Sequence, residues 1–166
     1  MSRRISLENG FQLVMLTQRS KIEDVQINDE VKEVMKRAIA SRYDRENKIV
    51  SLSNFVHDQE LKNTGLFLPA SKKNVLEAIV NIIVENIATV VAINLSNNRI
   101  FSLDPLKSIV TSCPDVKAID LSKNSISQKM ELKTISQLPL LELNIEGNPF
   151  CEKFKNIAEM HRFVFS

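Results

Sequence analysis

Hydrophobic and polar positions change their rhythm several times along the chain. Residues 3–18 alternate with period two: Ile5 and Leu7, then Phe11, Leu13 and Met15, on either side of Asn9-Gly10. That pattern predicts a β-hairpin closed by a tight turn. From Asn28 the period lengthens, and Val31, Val34, Met35, Ala38 and Ile39 fall on one helical face. Asn28 is placed to cap this helix, Asp29 and Glu30 suit the positive end of its dipole, and Glu33 is four residues from Arg37. One apolar stripe opposite a charged face predicts a lid over the open end of a larger core.

A third rhythm begins at Val90. Val90-x-x-Ile93-x-Leu95-x-x-Asn98-x-Ile100 returns as Val116-x-x-Ile119-x-Leu121-x-x-Asn124-x-Ile126, then as Leu140-x-x-Leu143-x-Ile145-x-x-Asn148-x-Phe150. The spacings of 26 and 24 residues fall within the leucine-rich-repeat range. Val50-x-Leu52-x-x-Phe55 is an earlier unit without the Asn. The pattern predicts short strands whose alternating aliphatics point inward, each followed by a turn. Asn98, Asn124 and Asn148 form a predicted structural ladder, their amides satisfying backbone groups that the turns leave unpaired.

Return segments between the strands read as helices. Ser71 is the expected cap of one reaching Asn86, with Val75, Leu76, Ile79, Val80, Ile82, Ile83 and Ile87 on its apolar face. Asp104-Pro105 opens another that Pro114 stops, and Met130 to Gln137 makes a shorter one. Glu152 to Phe165 is expected to be a final helix covering the last repeat with Phe154, Ile157 and Ala158. The fold class is therefore α/β: a short solenoid of about four repeats, parallel strands on the concave face, helices on the convex side and a helical cap at each end. Residues 1–22 form a separate hairpin unit, and residues 23–166 form the repeat domain.

Composition narrows the function. Hydrophobic residues make up 43% of the 166, which excludes a disordered chain. Only three glycines are present, too scattered for a phosphate cradle. The two cysteines, Cys113 and Cys151, suit a reducing compartment and read as small buried hydrophobes. His57 and His161, far apart in a one-dimensional stack, offer no catalytic or metal constellation. The expectation is a non-catalytic binding scaffold without cofactor, metal or membrane span.

The repeat register marks candidate surfaces. Positions flanking the inward aliphatics are Ala92, Asn94 and Ser96, then Ala118, Asp120 and Ser122, then Glu142, Asn144 and Glu146, with Ser51 and Ser53 ahead of them. This face is small and polar, turning acidic towards its C-terminal end, and suits a protein partner with basic or polar groups. Phosphate contacts call for Lys and Arg. Arg37, Arg42, Arg45 and Lys48 around the end of the first helix are the candidates, with Asp44 and Glu46 among them. The net charge of +2 gives no general argument for nucleic acid.

Certain segments carry a family resemblance: Ser41-Arg42-Tyr43-Asp44, Asn86-Ile87, Ile93-Asn94-Leu95-Ser96-Asn97-Asn98-Arg99-Ile100, Ser108-Ile109-Val110 and Gly147-Asn148-Pro149-Phe150-Cys151. Over residues 26–160 the chain resembles the leucine-rich-repeat domain of the nuclear RNA export factors of the Tap type. The resemblance implies an RNA-recognition domain upstream, to whose end the hairpin is similar. It also implies NTF2-like and ubiquitin-associated-like domains downstream, which carry heterodimerisation and binding to FG nucleoporins. The implied function is RNA cargo binding together with the upstream domain, and docking of adaptor proteins for mRNA export. The implied location is nuclear, with shuttling to the cytoplasm. Paralogues within the family have been repurposed for transcript control or transposon silencing, and a protein-interaction domain of that kind is the alternative.

Overall fold

A computed structural model describes residues 3–6, 12–15 and 26–154. The alternating N-terminal segments are strands β1 (Arg3–Ser6) and β2 (Gln12–Met15), paired antiparallel with Arg3 opposite Met15 and Ser6 opposite Gln12. The expected Asn9-Gly10 turn lies outside the described residues.

Helix α1 (Asp29–Ser41) begins where its side chains dictate. The Asn28 Oδ1 accepts the Val31 amide at 2.8 Å, and Val34, Met35, Ala38 and Ile39 are buried. The expected Glu33–Arg37 pair is not formed. Glu33 instead takes the Lys36 ammonium at 2.7 Å, while Arg37 reaches across to Glu60 at 3.5 Å.

Strand β3 (Tyr43–Asp44), with no counterpart in the sequence reading, follows α1 and pairs antiparallel with β4 (Ile49–Ser51). From β4 onward every pairing is parallel. A 3₁₀ turn at Phe55–His57 leads into α2 (Gln59–Asn63), and α3 (Lys73–Asn86) follows. Next come β5 (Ala92–Asn94), a 3₁₀ turn at Asp104–Leu106 running into α4 (Lys107–Ser112), and β6 (Ala118–Asp120). The series closes with α5 (Lys129–Lys133), β7 (Glu142–Asn144) and a 3₁₀ turn at Cys151–Lys153. The sheet order is β3-β4-β5-β6-β7, so the four repeats stack in chain order. This is the α/β leucine-rich-repeat solenoid that the periodicity predicts.

The core is a set of columns. Val50, Ile93 and Ile119 share one register and are at most 3% exposed; Leu52, Leu95 and Leu121 form the next column and are at most 2% exposed. Against them pack Val75, Leu76, Ile79, Val80, Ile82 and Ile83 of α3 and Ile109 of α4. Three helix boundaries differ from expectation. Lys72, not Ser71, occupies the cap position of α3, and it makes no side-chain cap bond. Asp104-Pro105 opens a 3₁₀ turn before the α-helix proper, and α5 is only five residues long. At the C-terminal end the Phe154 ring meets Phe150 edge-on at 5.0 Å. The final helix expected from Glu152 does not begin there: Glu152 and Lys153 belong to the 3₁₀ turn and Phe154 is extended, and the rest of that expected helix lies outside the described residues.

Candidate functional site

The turn after each strand builds the interior of the molecule. Asn124 Nδ2 donates to the carbonyls of Leu95, Leu121 and Ser122, and its Oδ1 accepts the amides of Asn98 and Ile100 at 3.0 and 2.9 Å. Asn98 donates likewise to Leu52, Leu95 and Ser96 and accepts from Phe55. Asn148 donates to Leu121 and Ile145 and accepts from Ile126. Each amide thus ties its own turn to the preceding repeat. The residue just before this position is left-handed in all four repeats: Asn54, Asn97, Lys123 and Gly147, with φ of 50°, 55°, 54° and 72°. This column was missed in the sequence, although Asn and Gly, the usual left-handed residues, stand at three of its positions.

Phe55 occupies the Asn position of the first repeat and is fully buried. A phenyl ring cannot donate to the Ser53 carbonyl, the counterpart of those that Asn98 and Asn124 reach on Ser96 and Ser122. Arg42 does so instead. Its Nη1 lies 2.9 Å from the Ser53 carbonyl and its Nε 2.5 Å from Asp58, whose other oxygen accepts the Glu60 amide at the start of α2. The guanidinium also stands 6.0 Å from the centre of the Phe55 ring. These bonds occupy Nε and Nη1 of Arg42, one of the phosphate-contact candidates, with partners in and beside the first repeat.

The other basic candidates do not gather around it. Arg37 is paired with Glu60, and Arg45 stands beside a cavity of about 360 Å³ between α1 and α3 whose other lining includes Lys36, Tyr43 and Asn86. Lys48 is left-handed with φ 56°, and its carbonyl receives the Val91 and Ala92 amides.

On the outward face of the sheet the repeat register separates three columns. Ile49, Ala92, Ala118 and Glu142 are aligned, as are Ser51, Asn94, Asp120 and Asn144. Side chains of the second column turn back on their own backbone: Asn94 accepts the Ser96 amide, Asp120 that of Ser122 and Asn144 that of Glu146, at 2.9, 2.8 and 3.1 Å. In the third column Ser96 and Ser122 are only 9% and 8% exposed, which corrects their assignment to an open surface. Ser96 Oγ lies 2.9 Å from Ser53 Oγ. At the last repeat Glu142 and Glu146 are exposed and have no ion pair among the described residues, and beside them Leu141 is 84% exposed. Leu141 carries no signal in the repeat pattern except that the equivalent positions are Lys48, Val91 and Lys117.

Comparison with known proteins agrees with this architecture. The family described as the NXF1/2/3/5 leucine-rich repeat domain matches residues 40–164, three quarters of the chain. Nuclear RNA export factor 1 of Caenorhabditis elegans is 32% identical over 98% of this chain, and its Drosophila melanogaster namesake is 34% identical over 94%. The chain spans only 26% and 23% of the length of those two relatives. Among solved structures, the Chaetomium Mex67:Mtr2 subunits superpose with a TM-score of 0.61 at 22% identity, covering 81% of this chain and 85% of that one. The Mex67 LRR domain from Chaetomium thermophilum gives 0.55 at 24%, covering 81% and 86%. These two likenesses establish the fold, and the sequence matches go further: the chain belongs to the nuclear RNA export factor family, in which it is the leucine-rich-repeat domain.

Proposed function

We propose that this repeat domain is a non-catalytic scaffold for mRNA export, acting in the nucleus and shuttling to the cytoplasm. In this reading it binds RNA cargo together with an upstream RNA-recognition domain, of which residues 1–22 are the tail, and it docks adaptor proteins. The observation that carries the reading is the match of residues 40–164 to the repeat domain of export factors. The solved Chaetomium Mex67:Mtr2 subunits support assembly with an NTF2-like partner through regions outside this chain. FG nucleoporins fall to those regions as well. Arg45 and Lys48, both exposed, are the remaining candidates for phosphate contact, since Arg42 and Arg37 have protein partners. RNA affinity measured for the upstream domain with and without the repeats tests this. A gain of about tenfold from the repeats is expected, and equal affinities would remove RNA binding from their role.

The second reading is a protein-docking domain in a repurposed paralogue, acting in transcript control or transposon silencing. Glu142 and Glu146, exposed and without an ion pair among the described residues, favour it. The double substitution Glu142→Lys, Glu146→Lys should then abolish recovery of an adaptor in pull-downs while leaving RNA affinity unchanged. Undiminished recovery would count against docking at this end.

A further inference from the structure

The last strand is built to receive another. Each earlier strand of the repeat series passes backbone amides to the next one. Leu52 and Asn54 donate to the carbonyls of Asn94 and Ser96, Leu95 and Asn97 to Asp120 and Ser122, and Leu121 and Lys123 to Asn144 and Glu146. At β7 the corresponding amides are those of Ile145 and Gly147, and neither has an acceptor among the described residues. In the opposite direction the amides of Val91, Lys117 and Leu141 donate to the carbonyls of Lys48, Val91 and Lys117. The Leu141 carbonyl has no such donor among the described residues. The side chains repeat the message. Leu143 is only half-buried, whereas Val50, Ile93 and Ile119 in its column are at most 3% exposed. An open edge of this kind is a template for strand addition.

Charge selects the occupant. A second copy pairing β7 with β7 antiparallel about Asn144 would set Glu142 opposite Glu146, and like charges directly opposite are destabilising. A strand with Lys or Arg at its outward positions meets both carboxylates favourably, and Val or Ile between them would cover Leu143. We infer that β7 is the docking edge for an extended basic segment of a partner protein, which adds as a parallel strand with cationic residues outward and aliphatic residues inward. The inference rests on the adaptor-docking reading and supplies its chemistry: backbone bonds give affinity, and the alternation gives selectivity.

The probe is a capped Lys-Val-Lys-Val-Lys peptide, with Glu-Val-Glu-Val-Glu as its control, added to the 166-residue chain and followed by amide hydrogen exchange. Saturating lysine peptide should slow exchange at Ile145 and Gly147 at least tenfold, and the glutamate peptide should not. Glu142→Lys, Glu146→Lys should reverse that preference; both positions are exposed, so the fold tolerates the change. Unchanged exchange at the two amides would overturn the inference. So would slow exchange before any peptide is added, which would mean that the chain covers its own edge, or a dimer in sedimentation. If the same double variant loses an adaptor in pull-downs while the wild-type amides ignore the lysine peptide, docking survives and the edge mode falls.

Discussion

The two ends of this solenoid solve the same problem differently. At the first repeat, β3 turns back antiparallel, the Ser51 amide donates to the Arg42 carbonyl at 3.1 Å, and α1 lays four buried residues over the stack. The Asn missing from that repeat is replaced in function by Arg42, anchored on Asp58. At the last repeat the Asn is present, yet among the described residues β7 has no further neighbour in the sheet, and Leu143 is half-buried. One end closes by a dedicated local device; the other keeps the interior pattern, and its edge amides have no acceptor among the described residues. Stability in a stack of this kind is the sum of each layer and its interfaces. Identical substitutions should therefore cost less towards the open end.

The asparagines give the largest expected contrast. Asn124 makes five hydrogen bonds that reach into two repeats, whereas Asn148 makes three. Leucine in their place keeps the branching and the number of side-chain heavy atoms and leaves buried backbone groups unpaired. Asn124→Leu should cost about 3 kcal/mol and Asn148→Leu about 1–2 kcal/mol, read from denaturant midpoints at unchanged slope. Equal costs at the two positions would mean that the last layer is as tightly coupled as the interior ones.

Removing the device at the closed end comes next. Asp58 is 4% exposed and holds both the Arg42 guanidinium and the Glu60 amide. Asp58→Ala strips the cap from α2 and leaves Arg42 beside an apolar wall, although its side chain keeps 25% exposure and some access to water. A loss of about 2 kcal/mol is expected. Asp58→Asn keeps an acceptor for the cap and should lose about half as much. A cost for Asp58→Ala no larger than that of an ordinary surface substitution would show that Arg42 does not stand in for the missing Asn.

How legible each end was follows from the range of the signals. Ile93, Leu95 and Asn98 recur at fixed offsets because each repeat must fill the same layer, so the sheet, its parallel order and its core columns could be read from spacing alone. Asn28 announced the start of α1 through a bond within one turn. Strand β3 could not be read, because Tyr43-Asp44 is too short to show alternation and pairs only once β4 is in place. Arg42 looked like a surface cation for a related reason. Its role depends on Phe55 occupying an Asn position and on Asp58 sixteen residues away. The outward columns misled in part because side-chain alternation gives direction but not accessibility. Ser96 and Ser122 point outward in the pattern and are nevertheless covered, and Asn94, Asp120 and Asn144 bond to their own turns.

The left-handed column offers the finest comparison, because one backbone conformation recurs in different layers. Lys123 holds φ 54° in an interior repeat, where a side chain with a β-carbon is strained, and Gly147 holds φ 72° without that strain at the open end. Lys123→Gly should therefore raise stability by about 0.5 kcal/mol, the relief of strain being partly offset by greater freedom in the unfolded chain. Gly147→Ala introduces the strain and sets a β-carbon 3.3 Å from Cγ of Lys123, a flexible side chain that can move aside. Its cost should be about 1 kcal/mol, set by the backbone rather than by the contact. Combining Gly147→Ala with Lys123→Gly separates those two sources. The double variant should show the sum of the single effects if strain is local to each turn, and a smaller loss if the Lys123 side chain was the obstacle.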